Sequence, residues 1–239
     1  MPRRTLLFAA IALLAATLFV RLGFWQLDRL GQRRARNAAI RAQMAAAPAP
    51  WSDTTAVRYR QVLVSGIPDY EREIVLVGRS REGSPGVNLV TPLRLRGSDT
   101  AVLLNRGWVY SPDATKVDQS LWREDDTLSV QGYVEAFSDP GPGDLPANQR
   151  VARRLSHQAV SARFPYPIAP VYVVATYSAN DRRGLAAAGR APTRTPIPTP
   201  DDGPHLGYAL QWFAFAAIAV VGTGIAIATG RRDRRMRLV

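Results

Sequence analysis

From Leu206 to Ala228 the chain runs for about 23 residues without a formal charge, the length a helix needs to cross the hydrocarbon core of a bilayer. Asp201, Asp202 and Pro204 precede this stretch, and Arg231, Arg232, Arg234, Arg235 and Arg237 close it. No other feature restricts the fold as much, because lipid leaves a spanning segment no water to satisfy its backbone.

A second apolar run, Thr5–Val20, follows Arg3 and Arg4. Leu22–Leu27 extends it to spanning length, with Arg21 free to snorkel to the headgroups. A cleaved signal peptide would want small residues just after the run, and Val20-Arg21-Leu22 stands there instead, so an uncleaved anchor is expected. Residues 28–47 are rich in Arg and Ala and free of Pro, which continues the helix until Pro48 and Pro50 end it. Arg33, Arg34, Arg36 and Arg41 read as a solvated or headgroup-facing surface of that helix.

The charge supports a membrane reading. The net charge is +12. Residues 1–41 carry eight Arg against Asp28, and residues 231–239 carry five Arg against Asp233; taking these from 31 basic and 19 acidic residues leaves 18 against 17 over 42–230. Basicity confined to the flanks of apolar segments anchors helices and argues against a nucleic-acid partner. With no cysteine in the chain, disulfides, thiolate metal sites and thiol nucleophiles are excluded.

Between the two apolar runs, strand-like segments are separated by turn residues: Arg58–Gly66, Glu73–Gly78, Val87–Arg96, Ala101–Tyr110, Leu128–Phe137 and Ala169–Tyr177. Gly97-Ser98-Asp99 reads as the turn joining the third and fourth. Pro92 implies an edge or bulge and Gly107 a bulge. Ser156–Phe164 is a short helix candidate with Ser156 as N-cap. The expected fold class is an α+β membrane protein: two transmembrane helices flanking a mostly antiparallel β domain, with a small barrel as one form it can take. The segments are a first transmembrane helix over 1–28, a juxtamembrane helix over 29–50, the β-rich domain over 51–189, a Pro-rich linker over 190–204, a second transmembrane helix over 205–230 and an Arg-rich tail over 231–239. By the positive-inside bias both termini are cytoplasmic and the domain lies outside.

Catalytic chemistry is hard to find, and no enzymatic activity is expected. His157 and Ser156 are adjacent, so on a helix they do not face each other. No nucleophile elbow or zinc motif is present. Glu124-Asp125-Asp126 reads as a solvated turn rather than a metal site, and Asn105-Arg106-Gly107-Trp108 as a bulged corner with a packed indole, the Arg106 stem lining its rim. His205 stands at the first turn of the second span, with Tyr208 and Trp212 three and seven positions on and thus on one face. Two readings fit it: an interfacial His-Tyr-Trp belt that fixes helix depth, or a neutral imidazole offered to a haem iron. Ala12 and Ala16 on the first span, with Gly222 and Ala226 on the second, would allow the helices to pack closely.

Four stretches carry a resemblance. Leu22-Gly23-Phe24-Trp25-Gln26-Leu27-Asp28-Arg29, Tyr59-Arg60 through Gly66, Val90-Thr91-Pro92-Leu93 with Leu103–Val109, and His205-Leu206-Gly207-Tyr208 through Trp212-Phe213 resemble, in that order, the motifs of the Surfeit locus protein family of cytochrome c oxidase assembly factors. The resemblance spans almost the whole chain. It implies an assembly factor for the aa3-type oxidase that assists delivery or insertion of haem A into the large subunit, with that subunit and the haem A biosynthesis machinery as partners. It makes His205 the candidate metal ligand, and Tyr208, Trp212, Trp25, Gln26 and Arg29 the residues around the haem. Arg29 or Arg21 is a candidate partner for a propionate; Trp25 and Arg29 equally suit a headgroup anchor. Because the chain opens directly on its first span, a bacterial plasma membrane is expected. The alternative from another class is a membrane-tethered sensor or ligand-binding module unrelated to haem.

Overall fold

The computed structural model describes residues 3–141, 150–177 and 191–236, with side chains as far as Gly230. The side chains of the Arg-rich tail and the first residue of the Pro-rich linker, Arg190, lie outside the described residues. The chain divides into two compact units, one of residues 1–41 with 200–239 and one of residues 42–199.

The first unit is built on two helices, α1 (Arg3–Ala45) and α3 (His205–Met236). Each contains a segment long and apolar enough to cross a membrane. No break separates the expected spanning and juxtamembrane parts of α1, since no Pro or cap interrupts it before Pro48. Likewise the backbone of α3 runs past Gly230 to Met236. Helix α1 buries Ala16, Gly23, Leu30 and Asn37, one residue in every seven. Helix α3 answers with buried Ala209 and Ala216, flanked by half-buried His205, Trp212 and Ala219. A seven-residue repeat is the signature of a coiled-coil-like seam, and small residues on it bring the helices close. A Cβ at Gly23 would come to 2.5 Å from the Phe213 ring. The expected small residues are half right: Ala12 and Ala16 face the seam, but Gly222 has open space around it and Ala226 is exposed.

The second unit is an eight-stranded sheet in the order β1 (Ala49–Pro50), β2 (Gln61–Pro68), β6 (Leu128–Ala136), β8 (Ile168–Ala175), β5 (Ala101–Tyr110), β4 (Ser84–Leu95), β3 (Ile74–Arg81), β7 (Val151–Ala152). A further pairing of β2 with β4 closes the middle five strands into a barrel. Strand β4 achieves this by changing neighbours: Ser84–Val90 pairs with β3, and Leu93–Leu95 with β2. Pro92 falls in the gap between those pairings, where Asp69 donates to its carbonyl and a proline lacks nothing it needs. The six long strands appear where the sequence predicts them, mostly antiparallel. The two-residue strands β1 and β7 and the parallel pairing of β5 with β8 are additions.

Strand β5 is buried on both faces, as central strands with both sides covered are. Val102 and Leu104 join Val62, Val64, Leu93 and Val173 inside the barrel. Ala101 and Leu103 face the other way, into a second core with Ile74, Val90, Val160, Phe164 and Ile168. That second core is capped by α2 (His157–Ser161), a shorter helix than predicted, whose N-cap Ser156 accepts from the Ala159 amide. His157 is a cap-region residue that meets the Ile168 carbonyl at 3.0 Å.

The predicted bulge is present. Leu89 pairs with Gly107 and Val90 with Asn105, which leaves Arg106 as the extra residue. Gly107 has φ 135, and a Cβ there would run into the Thr193 carbonyl. Beyond the bulge Trp108 and Thr193 exchange two backbone hydrogen bonds of 2.8 Å, so the linker takes the strand edge where the β8 pairing has ended.

Candidate functional site

Two polar clusters stand out, one in each unit. In the helical unit, His205 opens α3 immediately after Pro204, and its imidazole enters the seam. Its Nδ1 lies 2.9 Å from Gln26 Oε1. An amide oxygen only accepts, so Nδ1 is the donor in this contact, and in a neutral imidazole that leaves the lone pair on Nε2. Nε2 makes no hydrogen bond among the described residues, and its near neighbour is Gly203, where a Cβ would stand 3.7 Å away. One turn of the repeat further on, Trp212 stacks on Phe19 with ring centroids 5.6 Å apart, and Phe215 closes on both rings at 5.9 Å.

Of the six residues the sequence nominated, His205 and Gln26 meet here, and Trp212 lies seven residues along the same seam. Tyr208 turns away, 49% exposed, because the seam steps four residues from His205 to buried Ala209 before its three-residue step to Trp212. Trp25 is 48% exposed and is paired with Arg29, whose guanidinium sits 5.6 Å from the indole centroid. Arg29 also donates to Gln32, which donates to Asp28, a ladder along the outside of α1.

Above the seam the four arginines of α1 are exposed, as expected of a solvated surface, and three of them also hold the segment before α3. Asn37 donates to the Asp201 carbonyl at 2.8 Å and to Asp202 Oδ1 at 3.1 Å. Arg33 donates to the Asp201 carbonyl, Arg34 pairs with Asp202 at 3.0 Å, and Arg41 donates to the Pro200 carbonyl at 3.1 Å. Arg36 is the one of the four with no such contact among the described residues. The Asp202 carboxyl is held below its usual value by hydrogen bonds from Arg34 and Asn37.

The cluster in the β unit was not foreseen. Glu73, Thr91, Arg106, Glu124 and Arg194 are buried together. Arg106 gives Nη2 to Glu73 at 2.5 Å, Nε to Thr91 at 2.8 Å, and Nη1 to Glu124 at 2.9 Å and the Trp122 carbonyl at 2.6 Å. Arg194, from the linker, pairs with the other oxygen of Glu124 and donates to the Arg106 carbonyl. Burial alone would lower the Arg106 guanidinium, but the two carboxylates outweigh it and hold it above its ordinary value. Arg106 is therefore no rim residue, and Glu124 is no part of a solvated run. With two cations answered by two anions, the cluster is closed and binds the linker to the barrel. Among the described residues no group of three or more His, Asp or Glu is placed to hold a metal ion.

A model described as the SURF1 family matches residues 13–217, from within α1 into α3. The chain belongs to the SURF1 family. That is the family of oxidase assembly factors whose motifs the sequence resembles, and the match includes both Gln26 and His205. The relatives are evenly distant. A SURF1-like protein of Rickettsia felis is 26% identical over 88% of this chain and 92% of its own length. One from Drosophila melanogaster is 26% identical over 87% and 73%, and one from Monosiga brevicollis 24% identical over 83% and 79%.

Proposed function

We propose that this SURF1 protein assists biogenesis of the aa3-type cytochrome c oxidase without catalysing a reaction of its own, by holding haem A for delivery to or insertion into the large subunit. The observation that carries the reading is the His205–Gln26 contact at the seam. Gln26 fixes the tautomer, leaving Nε2 as the donor to a porphyrin iron, and orients the ring as outer-shell partners of ligating histidines do. The Phe19–Trp212–Phe215 stack supports an apolar, aromatic setting below it. The helical unit holds no second histidine, so it would offer the haem a single imidazole, which suits a cargo that must leave again. Trp25 and Arg29 are already paired with each other, so they suit a headgroup anchor better than a haem contact. Tyr208 would flank the cargo only from the lipid side.

The proposed partners are the large oxidase subunit and the machinery that makes haem A. The proposed location is a bacterial plasma membrane, with both termini cytoplasmic and the β domain outside, on the strength of the Arg-rich end of the chain. Cysteines at Ser98 and Arg234 test that orientation: an impermeant reagent should label the first in intact cells and spare the second.

His205→Ala tests the function. In cells that make haem A, the variant should accumulate to the parent level and lose its co-purifying haem. Retention of haem with an unchanged absorption spectrum would reduce His205 to an interfacial anchor. Normal oxidase haem in membranes lacking the protein would favour a sensor unrelated to haem.

A further inference from the structure

In the β unit, at the β3–β4 hairpin, lies a pocket of about 380 Å³ lined by Arg79, Arg81, Asn88, Trp108, Thr195 and Pro196. Arg106 and Arg194, buried elsewhere in this unit, are answered by Glu73 and Glu124. The two arginines of the pocket are not answered in that way. Arg79 donates Nη2 to the Arg153 carbonyl at 2.8 Å, but its Nε is buried with no partner among the described residues. Arg81 donates to the Arg194 carbonyl, and its nearest carboxylate, Glu82, is 3.9 Å away and 87% exposed. The Trp108 indole N–H is also buried without a partner. Asn88 makes no side-chain hydrogen bond among the described residues.

Buried donors without acceptors are uncommon in folded proteins, and each calls for an explanation. Here two of them, on Arg79 and Trp108, belong to residues that border one cavity, beside a second guanidinium, Arg81, whose one carboxylate partner is distant and exposed. The cavity has the size of a small-molecule site. Guanidinium groups match the planar oxygens of an acidic group, while the indole offers an apolar face to whatever that group is attached to. Glu82 is the one carboxylate in the lining, against the two guanidinium groups of Arg79 and Arg81, so the local charge is positive.

We infer that this pocket binds a small organic anion, its acidic group on Arg79 and Arg81 and its apolar body against Trp108. All its lining residues belong to the β unit, whereas His205 belongs to the helical unit.

The test uses the full chain in dodecyl maltoside, with phenylacetate and phenyl phosphate as probes and 2-phenylethanol as the neutral control. Titration calorimetry is corrected against protein-free micelles. Both anions should bind saturably, and the alcohol at least 10-fold more weakly. A preference for phenylacetate assigns a carboxylate, and one for phenyl phosphate a phosphate ester. Arg79→Gln should weaken binding at least 10-fold. Asn88→Asp, which adds a negative charge where no internal hydrogen bond is lost, should do the same with an unchanged melting temperature. Equal binding of the alcohol, no saturable binding of either anion, or affinity unchanged in both variants would overturn the inference.

Discussion

Arg106 meets Glu73 at 2.5 Å with the two side chains 0% and 1% exposed, at the one residue by which strand β5 outnumbers β4. A bulge re-aims a side chain; this one delivers a guanidinium to the interior, where it joins strand β3, the segment around Glu124 and the linker residue Arg194. Removing one partner of a buried ion pair is costly because the other charge stays behind. Arg106→Met should therefore destabilise the β unit by about 3–5 kcal/mol in denaturant unfolding of the detergent-solubilised protein. Adding Glu73→Gln should recover part of the loss. A single variant that unfolds like the parent would show that the pair contributes nothing net.

Helix packing at Gly23 is the second expectation. A side chain there meets the Phe213 ring, which itself leans edge-on against Phe24 at 5.3 Å. Gly23→Leu should cost about 1–3 kcal/mol by overpacking, seen as a lower melting temperature in micelles. An unchanged melting temperature would mean that the ring swings aside and the seam is not close-packed.

Gln26 gives a spectroscopic prediction that rests on the haem proposal. Gln26→Leu removes the acceptor for His205 Nδ1 and should lower co-purifying haem. Gln26→Glu keeps an acceptor and makes it anionic, which strengthens the imidazole as a donor; haem should be retained with shifted absorption bands. Equal haem in the Leu variant would detach Gln26 from any ligand role.

Much of this was legible in the chain, and what was not has a common physical cause. The strand from Ala101 to Tyr110 was readable because its apolar residues and flanking turn residues are local signals. So was the bulge, from Gly107. Glu124 was not, because Glu124-Asp125-Asp126 looks solvated until Arg106 and Arg194, 18 and 70 residues away, are folded against it. The solvated surface of Arg34 and Arg41 was legible, but their hydrogen bonds were not, for the same reason: the partners lie about 160 residues downstream. At the candidate haem site the residue types were visible, but which of them share the seam depended on a seven-residue repeat. That repeat runs through Ala16, Gly23, Leu30 and Asn37, of which Leu30 alone carries a strong hydrophobic signal.

Alkaline pH should weaken the β unit. Burial, then the charge of Glu135, pushes the Tyr172 phenol up to about 12 from an ordinary 10.0. Tyr133 and Tyr166 move the same way, burial again first. A phenol that holds its proton more tightly when folded contributes stability that is complete below pH 10 and lost as pH rises towards 12. Unfolding followed by circular dichroism should show that decline. Tyr172→Phe should flatten it while keeping the ring contact with Phe137; an identical slope would exclude Tyr172 as a source.

The grip of Asn37 on Asp201 spans 164 residues of chain, and that distance is also an interval of time. At a synthesis rate of about 5–20 residues per second, roughly ten to thirty seconds pass between the two being made. Throughout that interval α1 stands alone, with Gln26 and Asn37 on a face that has no protein partner yet. The newborn chain thus passes through a stage with one helix made and the whole β unit emerging before its second helix exists. Any factor that escorts an unpaired polar helix in the membrane has that interval in which to act.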